Sequence, residues 1–272
     1  MFLTGKLISV IMGTYNGETV ISKAIESILN QTYENFELII CDDCSVDATI
    51  KVIEKYMEKD NRIILLRNKK NVGLAKSLNN CIKIAKGEYV ARMDDDDLSH
   101  NDRLKKQFEF MESHPEYALC GTGKHNFDRN GIWATTLLKK FPTVQDIYKG
   151  KSFIHPTVMM RKDVLNKIGY YTVSHYNIRG QDYDLWCKFY FSGYRGVNMQ
   201  VILLDYCESL ESVKRRKFKY RWAGYKKRLY WRRKLKLPFF YIVYAYKELL
   251  AGIIPNSWLF RYKKNECVKN NE

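Results

Sequence analysis

The chain has 272 residues, 46% of them hydrophobic and 28% charged, enough to bury a full core and long enough for one large domain plus an appendage. Its formal net charge of +16 is concentrated at one end: residues 214–272 hold 18 Lys and Arg against 3 acidic residues, while residues 1–213 hold 28 against 27. No run of 18 uncharged apolar residues is present and "KLISVIM" is too short for a signal-peptide core, which argues against a simple membrane span or a secretory leader.

Seven cysteines, scattered from Cys41 to Cys267 without zinc-ligand pairing, fit a reducing intracellular compartment. Cys41 and Cys44 have the C-x-x-C spacing, but Asp42 and Asp43 between them oppose thiolate formation and argue against a redox motif.

In chain order, residues 6–13, 35–43, 62–68 and 87–93 are short runs rich in Ile, Leu or Val and bounded by turn residues, the pattern of strands. Three helices are expected between them. The first carries Val20, Ala24, Ile25, Ile28 and Leu29 at helical spacing and ends near Gln31. The second is capped by Ser45 and carries Ile50, Ile53 and Met57; the third carries Leu74, Leu78, Cys81, Ile82 and Ala85 and is closed by Gly87. Strand and helix in alternation predict right-handed crossovers and a parallel sheet, with ligands at the carboxyl ends of the strands. Polar clusters fall at those ends: Thr14-Tyr15-Asn16, Asp42-Asp43, and the run Asp94-Asp95-Asp96-Asp97.

Four adjacent carboxylates ask for an explanation, because like charges ~6 Å apart repel by roughly 0.7 kcal/mol per pair even in bulk water. A solvated acidic turn is one; a bound divalent cation is the other. An EF-hand calcium loop is excluded, since no glycine stands at its sixth position. Further on, "HNDRLKKQFEFMESHPE" predicts a helix stopped by Pro115, and "YALCGTG" a strand whose two glycines are too little for a dinucleotide fingerprint. "FIHPTVMMRKDVLNKIGYY" predicts a strand and a short helix capped by Gly169. "GQDYDLWCKFYFSGY" predicts a helix with Leu185, Trp186 and Phe189 inward and Asp182 and Asp184 in its first turn, where the helix dipole favours negative charge.

The stretches "SVIMGTYNGE", "SILNQTYENFELIICDDCS", "NVGLAKSLN", "GEYVARMDDDD", "FIHPTVMMRK" and "GQDYDLW" resemble, in order and spacing, the family 2 glycosyltransferases with the GT-A fold, over roughly residues 7–204. The resemblance implies an α/β fold with a mainly parallel central sheet flanked by helices. It implies transfer of a sugar from a nucleotide donor to an acceptor hydroxyl, with inversion and with Mn²⁺ or Mg²⁺ as Lewis acid on the leaving diphosphate.

Carried over by motif, Asp96 would ligate the metal while Asp94 or Asp95 holds ribose or sugar hydroxyls, with a register that the run leaves open; Asp97 would position the acceptor or brace the loop. Tyr15 would stack on the nucleobase, with Thr14 and Asn16 contacting the nucleotide. Asp43 would accept the imide N–H of uracil, which points to a UDP-sugar. Cys44 stands where the family usually has glycine. Asp182 would be the general base, with Asp184 as runner-up, and Gln181 replaces the usual glutamate. His155 would lie near the diphosphate or acceptor, and Lys76 could meet the diphosphate. The Q-x-x-R-W signature of processive synthases is missing, so addition of a single sugar is expected.

The charge break suggests a glycosyltransferase domain over 1–213 and a basic region over 214–272. Residues 214–236 carry thirteen Lys/Arg and no acids, interleaved with Phe218, Tyr220, Trp222, Tyr225, Tyr230 and Trp231. That composition suits a helix in an anionic membrane interface, followed by an apolar stretch interrupted by Lys247 and Glu248 that could dip into one leaflet. The expectation is a peripheral enzyme on the cytoplasmic face of the cell membrane, with a lipid-linked or oligosaccharide acceptor and no nucleic acid partner. A nucleic-acid-binding protein driven by the tail would leave the aspartates without a purpose. A nucleotidyltransferase would want a glycine- and lysine/arginine-rich phosphate loop that "GTYNGE" does not provide.

Overall fold

The computed structural model describes residues 5–174, 179–208 and 218–250. The chain opens with β1 (Ile8–Thr14), α1 (Ile21–Leu29), β2 (Phe36–Asp42), α2 (Thr49–Met57), β3 (Ile63–Arg67), α3 (Leu74–Ile84) and β4 (Tyr89–Asp94). These four strands are parallel, in the order β3-β2-β1-β4. All seven residues of β1 are buried, because helices cover both faces of the sheet. Strand alternation sorts them: Ile8, Val10 and Met12 pack with Ile25, Ile28 and Leu104 on one face, and Ile11 packs with Leu78, Ile82 and Leu185 on the other. The buried stripe of α1, Ile21, Ala24, Ile25 and Ile28, follows the helical period of the sequence.

Two expected helix boundaries are corrected by local bonding. Ser45 does not cap α2; its Oγ accepts the amide of Asn16 at 2.8 Å, and Asp47 Oδ1 takes the amide of Thr49 at the helix start instead. Gly87 does not close α3, which ends at Ile84. It lies against β1, where a Cβ would come within 2.6 Å of the Leu7 carbonyl and the Ser9 amide.

Beyond β4 the sheet is mixed rather than mainly parallel. After β5 (Leu98–Ser99) and α4 (Arg103–Ser113) come β6 (Leu119–Asp128), β7 (Gly131–Thr136), α5 (Val144–Lys149), β8 (Met159–Arg161), α6 (Lys162–Ile168), α7 (Gln181–Phe191) and β9 (Gly196–Cys207). β8 inserts between β4 and β6, antiparallel to both, because it enters from a short 3-10 turn at His155–Thr157 rather than from a crossover helix. β9 runs parallel to β6 and pairs at its far end with β5, and β7 folds back on β6.

The basic stretch begins, within the described residues, as α8 (Phe218–Lys234), which leads to α9 (Val243–Leu250). Residues 214–217 and 251–272, also part of the expected basic region, lie outside the described residues. α8 packs on α5, α7 and α9, and its Trp231 is buried in the same cluster as Trp186 and Phe189. Among the described residues no helix is long and apolar enough to cross a membrane.

Candidate active site

The carboxyl ends of β1 and β4 lie side by side, Gly13 opposite Asp94, so the acidic run emerges next to Thr14. Thr14 donates its hydroxyl to Asp95 Oδ2 at 2.5 Å, and Gly17 leaves room for that contact: a Cβ there would sit 2.8 Å from both oxygens. Asp95 is thereby turned toward β1, and burial pushes its carboxyl up to about 6 against the Thr14 hydrogen bond.

Asp94, Asp96 and Asp97 form a separate group, with one oxygen from each lying within 4.8 Å of the others. Asp97 is fully buried; its Oδ1 accepts the Cys207 amide at 2.9 Å, whereas its Oδ2 has no partner. Burial and then the neighbouring Asp94 and Asp95 charges push Asp96 up to about 7. Three convergent carboxylates, one of them buried with an unsatisfied oxygen, make a donor set that suits a hard divalent cation. The structure therefore adds Asp94 and Asp97 to Asp96 as candidate ligands and turns Asp95 away from them.

The loop is braced by two arginines that sequence reasoning left without a role. Arg92, buried in β4, pairs with Asp94 through Nη2, while its Nε and Nη1 are unpartnered. Arg103, at the start of α4, donates to the Arg92 carbonyl at 2.7 Å and to Gln107 Oε1 at 3.0 Å, and burial pushes its guanidinium down to about 10. A charged residue inside the otherwise apolar strand "YVARM" was the available signal.

The loops after β1 and β2 are stitched together. Asn16 Oδ1 accepts the Val46 amide at 3.0 Å, and Glu18 Oε2 accepts the Ala48 amide at 2.7 Å. Tyr15 stands beside these bonds with 49% of its surface exposed. Asp43 is buried at the next strand end. Its carboxylate accepts Asn68 Nδ2 at 2.8 Å and the amides of Val72 and Gly73 at 2.9 and 2.7 Å, so it organises the entry to α3. Cys44, at the position where the family usually has glycine, has φ 68°, in the left-handed region.

A cleft of about 830 Å³ opens over the acidic loop. Asp94, Asp95, Asp96, Arg92, His155 and Asp182 line it; Tyr15, Asn16, Asp43 and Lys76 do not. Lys76 sits half-buried in the first turn of α3. Asp182 stands in the first turn of α7, as its sequence position implied. Asp184 is buried, with Oδ1 accepting Trp231 Nε1 at 2.8 Å, so the runner-up carboxylate is taken up by packing. His155 shares a 2.7 Å hydrogen bond with the Tyr171 hydroxyl, and burial, then Arg92, drives its pKa well below the usual histidine value. It is a neutral, fixed wall of the cleft.

The opposite wall was not foreseen: β9 contributes Tyr206, Cys207 and Glu208 just beyond its end, and α8 and α9 contribute Arg221, Lys227 and Glu248. Nothing in the charge pattern of the tail distinguishes these inward residues from solvated ones.

The glycosyl transferase family 2 model matches residues 9–169. EpsE of Bacillus subtilis (strain 168) is 39% identical over 99% of this chain and 97% of its own length. The UDP-Glc:alpha-D-GlcNAc-diphosphoundecaprenol beta-1,3-glucosyltransferase WfaP of Escherichia coli is 31% identical over 79% of this chain and 82% of its own. Among solved structures, S. aureus TarS 1-349 in complex with UDP-GlcNAc superposes with a TM-score of 0.69 at 21% identity, over 90% of this chain and 71% of that one, a likeness of fold. With a curled α/β sheet, an acidic loop at a strand end and these relatives, the chain belongs to the family 2 glycosyltransferases of GT-A fold.

Proposed function

We propose that this glycosyltransferase moves a single sugar from a UDP-sugar to a hydroxyl of a lipid-linked or oligosaccharide acceptor, with inversion, in the synthesis of a cell-surface polysaccharide. The observation that carries the reading is that Asp94 and Asp96, two of the three clustered carboxylates, line one cleft with Asp182. The WfaP relative, named for a UDP-sugar donor and a diphospholipid-linked acceptor, supports the substrate classes.

Mn²⁺ or Mg²⁺ held by Asp94, Asp96 and Asp97 would supply Lewis-acid stabilisation of the charge that builds on the departing diphosphate. Asp182 accepts the proton of the acceptor hydroxyl as its oxygen bonds to the anomeric carbon from the far side; the bond to the diphosphate oxygen breaks and UDP leaves with the electron pair. Neutral His155 lines the same cleft without adding a positive charge. Tyr15 stacks on the base and Asn16 contacts the nucleotide through the stitched loops. In this reading Asp43 accepts the uracil imide N–H, Asp95 and Thr14 hold the ribose side, and Lys76 meets the diphosphate.

The test is calorimetric binding of UDP with and without Mn²⁺, to wild type and Asp96→Ala. Metal-dependent binding that disappears in the variant is expected; no UDP binding by the wild type under either condition overturns the donor assignment.

We infer further that residues 214–272 hold the enzyme on the cytoplasmic face of an anionic membrane. Phe239 and Phe240 project from the turn before α9 with 73% and 67% of their surface exposed, beside the basic end of α8. Co-sedimentation with phosphatidylglycerol vesicles should fall in Phe239→Asp/Phe240→Asp while UDP affinity holds; unchanged sedimentation refutes the docking surface.

A further inference from the structure

We propose that Lys227, on the basic C-terminal helix α8, is a positioning residue for catalysis, gripping the first turn of α7 so that Asp182 is held in the cleft. The inference rests on the reading of Asp182 as the general base.

Among the described residues, no side-chain cap fixes the turn that carries Asp182. Gly180, at its N-cap, is left-handed with φ 72° and offers no side chain to bond the first amides of the helix. The fixing groups come from α8. Lys227 Nζ donates to the carbonyls of Arg179 and Gly180 at 2.9 and 2.8 Å, just upstream of Gln181 and Asp182. Four residues on, and therefore on the same face of α8, Trp231 Nε1 donates to Asp184, beyond Tyr183 on the other side of Asp182. Asp182 is thus bracketed on both sides by one helix face.

α8 is itself anchored: Arg228 donates to the Tyr148 carbonyl at the α5 side and, at 3.0 and 3.2 Å, to Glu248 of α9. The arrangement is costly. Lys227 has only 8% of its surface exposed, and a cation at a helix N-terminus meets the positive end of the dipole. Burial pushes its pKa down, and the carboxylates of Asp184 and Asp182 oppose that shift. A buried ammonium in an unfavourable dipole is retained here by two carbonyls and two carboxylates, all of them on the turn that presents the base.

The experiment compares full-length wild type, Lys227→Met, Lys227→Gln and Asp182→Asn. Turnover is read as UDP released from UDP-glucose in the presence of Mn²⁺, and donor binding as calorimetric UDP affinity. Lys227→Met is expected to lose kcat on the order of tenfold to a hundredfold, the effect of a misplaced catalytic group, while UDP affinity and donor KM keep their wild-type values. Lys227→Gln, which retains an N–H donor for the carbonyls, should recover part of that loss.

Wild-type kcat in Lys227→Met overturns the proposal. So does a loss of UDP affinity that keeps step with kcat, which would mark Lys227 as general support for the fold. Should Lys227→Met fail to fold, Trp231→Phe, which keeps an aromatic ring and removes the indole N–H bond to Asp184, must show the same split between kcat and donor affinity or the proposal falls. Asp182→Asn separates the two readings: full turnover there removes the base itself, whereas an inactive Asp182→Asn beside a fully active Lys227→Met removes only the role of Lys227.

Discussion

The two halves of the cleft are built by different means. On the side proposed for the donor, Asp94 of the cleft and the neighbouring Thr14 and Asp43 stand at the ends of adjacent parallel strands, and sheet register brings them together. On the side of the proposed base, Asp182 stands on a helix turn that is bonded to α8 by contacts spanning 47 residues of sequence. A site can therefore be rigid by topology in one half and by long-range packing in the other. Damage to the two halves should separate donor binding from turnover.

The largest separation is expected from Asp182→Asn, which removes the proton acceptor but no donor contact: kcat should fall on the order of 10²–10⁴-fold, with calorimetric UDP affinity unchanged. Retained turnover would place the base elsewhere in the cleft. Next, Trp231→Ala removes a buried indole and strands Asp184, whose Oδ2 already lacks a partner. Large-to-small truncation of this kind costs about 3–5 kcal/mol, read from urea unfolding, and a loss under 1 kcal/mol would show that α8 is only loosely docked.

The smallest effect is on the donor side. Cys44 holds a left-handed backbone at φ 68°, so Cys44→Gly should relieve strain and stabilise the fold by about 0.5–1 kcal/mol after the entropic cost of glycine. A destabilised variant, in the same unfolding experiment, would mean that the Cβ and thiol earn their place by packing.

The same contrast explains what the sequence could and could not disclose. The strands, the first three helices and the polar strand ends were legible because each depends on local periodicity and on the rule that parallel sheets present ligands at their carboxyl edges. Asp94, Asp96 and Asp182 followed from motif and are found lining one cleft. The division of labour within the acidic run was not legible, since a sequence of four identical residues cannot show that Asp95 turns to Thr14 while Asp97 is locked by the Cys207 amide. β8 escaped the parallel pattern because antiparallel insertion leaves no mark on a three-residue strand. Composition described the tail well as basic and aromatic, yet it could not tell the buried Lys227 and Trp231 from the exposed Trp222 and Tyr230 on the same helix.

One small feature has a larger meaning for how a donor is met. The loops after β1 and β2 are joined by reciprocal bonds, Asn16 to Ser45 and Val46, and Glu18 to Ala48. Two loops tied in this way move as one body, and the conformational entropy of ordering them is spent during folding rather than at the encounter with nucleotide. Association should then look like docking to a preformed surface, with a single-exponential approach to equilibrium and a rate that rises linearly with UDP concentration.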